Sequence, residues 1–511
     1  MPSLSRRTLL LSAAAASVSG ALTACSTGSG DSDVSNAGKK LAPWPAYRAA
    51  SGPKPDLAPT EAGVQAGYTA YPADLVRSVS RTPGDGSTVK VMSVSFGTPP
   101  KPASANRFWA AVEKALGVKI EYTIVSQADY QKKMATVMAG DPDTLPDIIN
   151  LFSGFVLPRE AEFVQRRAED LTLYLSGEAI SAYPNLAGIP THAWQDMGRV
   201  GGRIYGIPLE RPLPGSTLWL NQGMFTDAGM KEGWTSEDFA AVAQRATGGR
   251  TYALGAANGS LFGNAVHAAA HHAPNEWAVT KDGTFRHCAA DERYKAAIAY
   301  QARLRKSGSY YPDSTSVSQI DLTTLYYNGT VGSMQDGFGA YLPKYRESQG
   351  KLTPAAALPY TVDGRPGGIV AARRSFGYTV LKKAKKARGK DGSPEPTELG
   401  EVENNTNLPL KYLAEGPQVL FVPGMPDAVR ALHSWQRKVV PYAIRNASNG
   451  LQSRTKNAQG TTLKAMLDDA VTGIVAGRLP LSEWDAVVKK WRAQGGDRMA
   501  GEFAKDYAAN T

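Results

Sequence analysis

Thr88-Val89-Lys90-Val91-Met92-Ser93-Val94 alternates side-chain character at a period of two, the mark of a strand. The next residues, Phe96-Gly97-Thr98-Pro99-Pro100, break it into a loop. Asn106 then suits a helix N-cap, Phe108, Trp109, Val112 and Leu116 fall on one stripe, and Gly117 stops the helix. Val118 to Val125 reads as a second strand. Asp129 to Ala139 reads as a second helix with Tyr130, Met134, Val137 and Met138 inward, ended by Gly140-Asp141. Pro146-Asp147-Ile148-Ile149 opens a third strand. Strands and helices alternating at this spacing predict an α/β fold with a parallel sheet covered on both faces.

Upstream, Ser5-Arg6-Arg7-Thr8-Leu9-Leu10 opens a short apolar run that Leu22-Thr23-Ala24-Cys25 closes. A basic start, a run too short to stay in a bilayer and small residues at its end predict an export signal over residues 1–24. The paired arginines favour the twin-arginine route. Leu22 to Cys25 resembles a bacterial lipobox, which implies cleavage before Cys25, lipidation (palmitate among the acyl chains) and anchoring at the outer face of the cytoplasmic membrane. Residues 25–85 are rich in Ser, Gly, Pro and Ala and predict a tether, followed by an extended segment held by Tyr68, Tyr71 and Leu75.

Downstream, Leu463, Met466, Leu467, Ala470, Val471, Ile474 and Val475 recur at helical spacing, with Gly477 at the stop. Ser482 and Asp485 resemble a capping box for a helix carrying Trp484, Val487, Val488 and Trp491. Gly495-Gly496 ends that helix, and Asp497 can cap a last one bearing Phe503 and Tyr507. The C-terminal region is therefore predicted to be helical.

The 511 residues suffice for two or three domains, and 42% apolar with 20% charged residues is a globular composition. The formal net charge of +11 falls to +9 without Arg6 and Arg7. That excess suits an anionic ligand or a negatively charged envelope, while no nucleic-acid motif is present. With Cys25 lipidated, Cys288 stands alone, so no disulfide supports the fold. No cofactor motif is found.

Several stretches together resemble the extracellular solute-binding proteins of ABC importers, in particular the large lipoproteins of oligosaccharide uptake. They are Ala139-Gly140-Asp141 through Leu145-Pro146-Asp147-Ile148, Gly202-Arg203-Ile204-Tyr205-Gly206-Ile207-Pro208, Leu218-Trp219-Leu220-Asn221, Asn328-Gly329-Thr330-Val331-Gly332, and Ile474-Val475-Ala476-Gly477 with Leu481-Ser482-Glu483-Trp484-Asp485. The resemblance implies a two-lobed periplasmic-binding-protein-like fold with hinge strands and a ligand between the lobes. Lobe 1 is expected over 86–212 plus 372–432, and lobe 2 over 213–371 plus 433–511. It further implies a monomer that captures an oligosaccharide and delivers it to membrane permease subunits. Some relatives carry an acidic calcium loop where this chain has Ala246-Thr247-Gly248-Gly249-Arg250-Thr251, so no calcium is expected there.

Loops after the C-terminal ends of strands face the cleft in open α/β sheets. Phe96 lies in the first such loop. Glu210 and Arg211 lie at the lobe crossing, either as hydroxyl or carboxylate ligands or as an exposed ion pair. Trp219 belongs to core or cleft. Asp336, Phe338 and Tyr341 lie in a Gly-rich segment resembling the aromatic platform of maltose-type binders, and Asn264 is a further cleft candidate. Arg374, beside Arg373 and ahead of the strand Phe376 to Leu381, suits an anionic sugar or is solvated charge. His267 and His271 share a helix face, yet lack the Glu of a His-Glu-x-x-His motif, so no metal is expected.

No Gly-x-Ser-x-Gly elbow, Walker A loop or zinc-protease motif occurs, so a receptor without catalysis is expected. The alternatives are a secreted carbohydrate-active hydrolase, whose carboxylate pair leaves no local signature, and a binder of another polar solute such as a peptide.

Overall fold

The computed structural model describes residues 34–49, 52–73, 82–95, 101, 103–372, 375–383 and 419–510. The signal segment, Cys25, Leu75, Phe96 and Arg374 lie outside the described residues.

The chain lays down strand β1 (Thr88–Ser95), helix α1 (Arg107–Leu116), β2 (Lys119–Ser126), α2 (Tyr130–Ala139), β3 (Ile148–Phe152), α3 (Glu160–Arg167) and β4 (Gly206–Glu210). The Asn106 side chain caps α1 by accepting from the Phe108 and Trp109 amides, and Gly117 ends it at φ 72°. β1 pairs in parallel with β2 and β3. Its residues Met92 and Val94 pack with Ile149 and Leu151 against Tyr130 and Met134 of α2. Val89 and Val91 turn to the other face, against Leu116. Full burial of a side chain such as Met134 contributes about 1.5–3 kcal/mol. One expectation fails locally. Phe108 is 44% exposed, so the buried stripe of α1 runs through Trp109 and Leu116.

The chain then crosses into a second lobe with β5 (Ser216–Asn221), α4 (Asn264–Ala270), α5 (Glu292–Lys306), β6 (Ser333–Gly337), α6 (Tyr341–Glu347) and β7 (Pro354–Ala356). β5 is the middle strand of an antiparallel sheet ordered β7-β5-β6. A second crossing returns the chain to lobe 1 as β8 (Ser375–Leu381), antiparallel to both β3 and β4, which completes the order β2-β1-β3-β8-β4. The first sheet is thus mixed rather than wholly parallel.

The C-terminal helices are α7 (Pro426–Val439), α8 (Arg454–Val475), α9 (Trp484–Trp491) and α10 (Asp497–Asn510). Leu463, Leu467, Val471 and Ile474 of α8 join Trp484, Trp491 and Phe503 in the core of lobe 2, on the spacing read from sequence. Ser482 does not cap α9, which starts at Trp484 after a 3-10 turn without a side-chain cap bond. A capping box forms instead at Thr235 and Asp238. Residues 419–432, expected in lobe 1, pack on lobe 2: Leu420, Val429, Leu432 and Trp435 share a cluster with Trp219 and Phe338.

The lobes are joined where Leu213 to Gly215 runs beside Val370 to Ala372. The Gly215 amide donates to the Val370 carbonyl at 2.9 Å and the Ala372 amide to the Leu213 carbonyl at 2.8 Å. A third passage, Ala443–Ile444, pairs in parallel with Ile369–Val370. Asn275 ties two of these passages with one amide group, which donates to the Ala371 carbonyl at 3.1 Å and the Ile444 carbonyl at 3.0 Å. Upstream of the first sheet, residues 52–73 lie on lobe 2, with Ala66–Gly67 paired to Val419–Leu420. Of the expected anchors there, Tyr68 donates to the Pro53 carbonyl at 2.8 Å, whereas Tyr71 is 66% exposed.

Candidate functional site

A cavity of about 490 Å³ lies at the lobe junction. Lobe 1 supplies Phe152 at the C-terminal end of β3, the loop 153–157, Glu160 at the start of α3, Tyr205 and Tyr378. Lobe 2 supplies Gly215, Ser216 and Gly337 to Gly339. Arg211, Asn275, Glu276, Ala371 and Ala372 come from the crossings or beside them, and Asn446, Asn449, Gln452, Lys456 and Asn457 from the approach to α8 and its first turn. The wall therefore forms where β3 and β6 end, as open α/β topology dictates. A second cavity of about 440 Å³ is walled by lobe 2 alone, between Lys295 and the α9 region.

The lobe 1 wall is aromatic. Phe155 stacks on Tyr130 at 5.8 Å and 18°, and meets Phe152 edge-on at 5.3 Å. The Tyr130 hydroxyl donates to the Asn150 carbonyl beneath. Burial pushes that phenol's pKa well up, so it stays a donor. Beside the rings, Tyr378 donates to Glu160 Oε1 at 2.7 Å, which fixes one carboxylate oxygen. The opposite wall carries amides and a second carboxylate. Asn446 donates to Glu276 Oε2 at 2.9 Å, and Glu276 sits at φ 56°, where a non-glycine residue is strained. Asn457 Nδ2 is buried and has no hydrogen-bond partner among the described residues. Such a donor is costly unless something accepts from it.

Arg211 reaches the cavity from the first crossing. A Cβ on Gly339 would lie 2.2 Å from Arg211 Nη1, so the guanidinium occupies space that only glycine leaves open. Arg211 and Phe338 are the described candidates from the sequence that border the cavity. Phe338 does so with its ring committed elsewhere, stacked between Trp435 at 5.0 Å and Trp219 at 6.4 Å. Trp219 and Phe338 are fully buried, Tyr341 is 4% exposed and Asn264 4%, the last donating to Gln301 at 2.8 Å. Asp336 pairs with Lys344 at 2.9 Å, behind the 337–339 turn. Glu210 pairs with His192 at 3.2 Å in lobe 1.

Sequence reasoning missed Glu160, Tyr378, Phe155 and the asparagines. The rule that strand ends face the cleft, applied to β3 as well as β1, points to Phe152-Ser153-Gly154-Phe155. Tyr378 and Asn457 carry no local signal.

His267 is buried, and burial lowers its pKa to about 3. Its Nδ1 meets the Tyr360 hydroxyl at 2.9 Å and its Nε2 the Tyr310 hydroxyl at 3.2 Å. His271 Nδ1 lies 2.8 Å from the His267 carbonyl. These contacts place the pair in the lobe 2 core, and no group of three or more His, Cys, Asp or Glu that could hold a metal occurs among the described residues. Cys288 follows His287 in sequence and is buried, which pushes its thiol pKa far up. No described helix is long and apolar enough to cross a membrane.

Residues 97–392, more than half of the chain, match the family model of the bacterial extracellular solute-binding proteins. The polygalacturonan/rhamnogalacturonan-binding protein YtcQ of Bacillus subtilis (strain 168) is 20% identical over 458 residues, covering 80% of this chain and 89% of that protein. Among solved structures, the S. pneumoniae ABC-transporter substrate-binding protein FusA in complex with kestose aligns with a TM-score of 0.59 at 15% identity. The alignment covers 83% of this chain and 100% of FusA. The GacH receptor of Streptomyces glaucescens GLA.O aligns with a TM-score of 0.56 at 15% identity, covering 81% of this chain and 100% of GacH. Those two likenesses carry the two-lobed fold, and the family match carries the class: this chain belongs to the bacterial extracellular solute-binding proteins.

Proposed function

We propose that the chain captures a carbohydrate, specifically an oligosaccharide, in the cavity at the lobe junction. One observation carries this reading: aromatic faces at Phe155, Tyr205 and Tyr378 stand in the same cavity as the carboxylates and amides of Glu160, Glu276, Asn446 and Asn457. Sugars present an apolar ring face and a rim of hydroxyls, and this combination serves both. The names of YtcQ, a polygalacturonan/rhamnogalacturonan-binding protein, and of FusA in complex with kestose support it.

The contacting residues proposed are Glu160, Arg211, Tyr378 and Asn457, with the Gly337 to Gly339 main chain approaching from lobe 2. Phe96 and Arg374 remain candidates from sequence. The receptor acts with the permease and ATPase subunits of an ABC importer, tethered outside the cytoplasmic membrane through lipidated Cys25 and exported by its twin-arginine signal. It performs no chemistry itself. Binding then favours the closed arrangement through its differential affinity for that arrangement.

The test is a thermal-shift and calorimetric screen of the protein against galacturonan, rhamnogalacturonan and fructan oligosaccharides, with a parallel assay for new reducing ends. A higher Tm with unchanged sugar supports the reading. Release of reducing ends contradicts it.

A further inference from the structure

The N-terminal segment touches both lobes at the back of the cavity. Val34 is 1% exposed, in the lobe 1 core beside Val200 and Tyr205. Two residues on, Asn36 is fully buried and uses its whole side chain. Its Oδ1 accepts from the Gly202 amide at 2.8 Å, and its Nδ2 donates to the Arg199 carbonyl at 3.1 Å, both in lobe 1. Its main-chain amide and Nδ2 also donate to the two carboxylate oxygens of Asp506, on α10 of lobe 2, at 2.9 and 3.1 Å. Asp506 is itself fully buried and accepts from the Gln452 amide at 3.0 Å. Gln452 borders the cavity, as do Gly198 and Val200 on either side of Arg199.

The segment is then fastened along lobe 1. Ala42 donates to the Gly202 carbonyl at 2.7 Å and accepts from Arg199 Nη1 at 2.7 Å. The Arg199 guanidinium lies 3.9 Å from the Trp44 ring centre. Gly202, at φ 81°, lets the segment through, because a Cβ there would meet the Lys40 carbonyl oxygen at 2.7 Å. Arg48 ends the run on lobe 1, pairing with Glu178.

We infer that Val34 to Trp44 is an inter-lobe strap: through Asn36 it ties the 199–202 turn of lobe 1 to Asp506 of lobe 2 and restrains how far the lobes part. A buried carboxylate is stable only while its donors are kept, so parting the lobes at this point costs the Asn36 bonds. The strap belongs to the chain itself and works whatever solute the cavity takes.

The test measures inter-lobe distance without any solute, so its failure is separate from failure of the carbohydrate reading. Spin labels are placed at Lys114→Cys on lobe 1 and Lys281→Cys on lobe 2, in the full chain carrying Cys25→Ser. Asn36→Ala, or Asp506→Asn where Asn36→Ala does not fold, is expected to broaden the distance distribution and shift it to longer values. Arg48→Ala, whose ion pair lies wholly on lobe 1, is expected to leave it unchanged. A distribution unmoved by the strap variants, or moved as much by Arg48→Ala, overturns the proposal.

Discussion

Arg211 and Gly339 occupy adjoining space at the lobe junction: a Cβ on Gly339 would fall 2.2 Å from Arg211 Nη1. One residue comes from the crossing out of lobe 1, the other from the turn after β6, and their contact presents the guanidinium to the cavity. Gly339→Ala is expected to displace Arg211 while leaving the fold intact. Affinity for the bound saccharide should fall by about tenfold or more, the loss of one charge-assisted hydrogen bond. Calorimetry on the variant checks this, and an unchanged Kd would remove Arg211 from the site.

Tyr378→Phe removes the donor that holds Glu160 Oε1. The carboxylate loses that donor, and binding is expected to weaken by about 1–2 kcal/mol while Tm changes little. Equal losses in Tm and in affinity would instead mark Tyr378 as a packing residue.

Lys344 is 2% exposed and held by Asp336, with its Nζ 5.6 Å from the ring centres of Tyr326 and Tyr327. Lys344→Met leaves Asp336 without its cation, though that carboxylate keeps partial access to water. A destabilisation of about 2–3 kcal/mol is expected, below the full cost for a wholly buried pair. Urea denaturation measures it, and a neutral result would show that the pair does not hold the 337–339 turn.

Acid should weaken lobe 2 through its histidines. Burial lowers His267 to about 3 and His287 to about 4, against an ordinary value near 6.5. The unfolded chain therefore binds these protons first. Stability is fully present above about pH 6.5 and is lost progressively as pH falls towards the folded values. Denaturation midpoints measured between pH 7 and 5 isolate this loss from that of ordinary carboxylates. His267→Gln should flatten the slope, and a wild-type profile flat over that window would contradict the assignment.

What was legible in the sequence was local. The alternation of 88–94, the Asn106 cap and the Gly117 stop are each set by neighbours within a turn. The site was less legible because core and cleft share residue types. β5 is covered on both faces from Thr217 to Leu220, so alternation could not say which way Trp219 points. Asp336 read as a ligand because its partner Lys344 comes from the next helix, and only folding shows that the pair closes. Residues 419–432 were expected in lobe 1 from the resemblance, whereas Val429 and Leu432 follow the apolar surface offered by lobe 2. Asn36 lay in a stretch read as tether by composition, and its partner Asp506 stands 470 positions away.

The most direct test of the carbohydrate reading is calorimetric titration of the wild-type protein and Glu160→Gln with the saccharide that most raises Tm in the screen. Saturable binding to the wild type, markedly weaker binding to Glu160→Gln and sugar recovered intact are expected. Equal binding by the two proteins, or cleavage of the saccharide, would contradict capture in the cavity at the lobe junction.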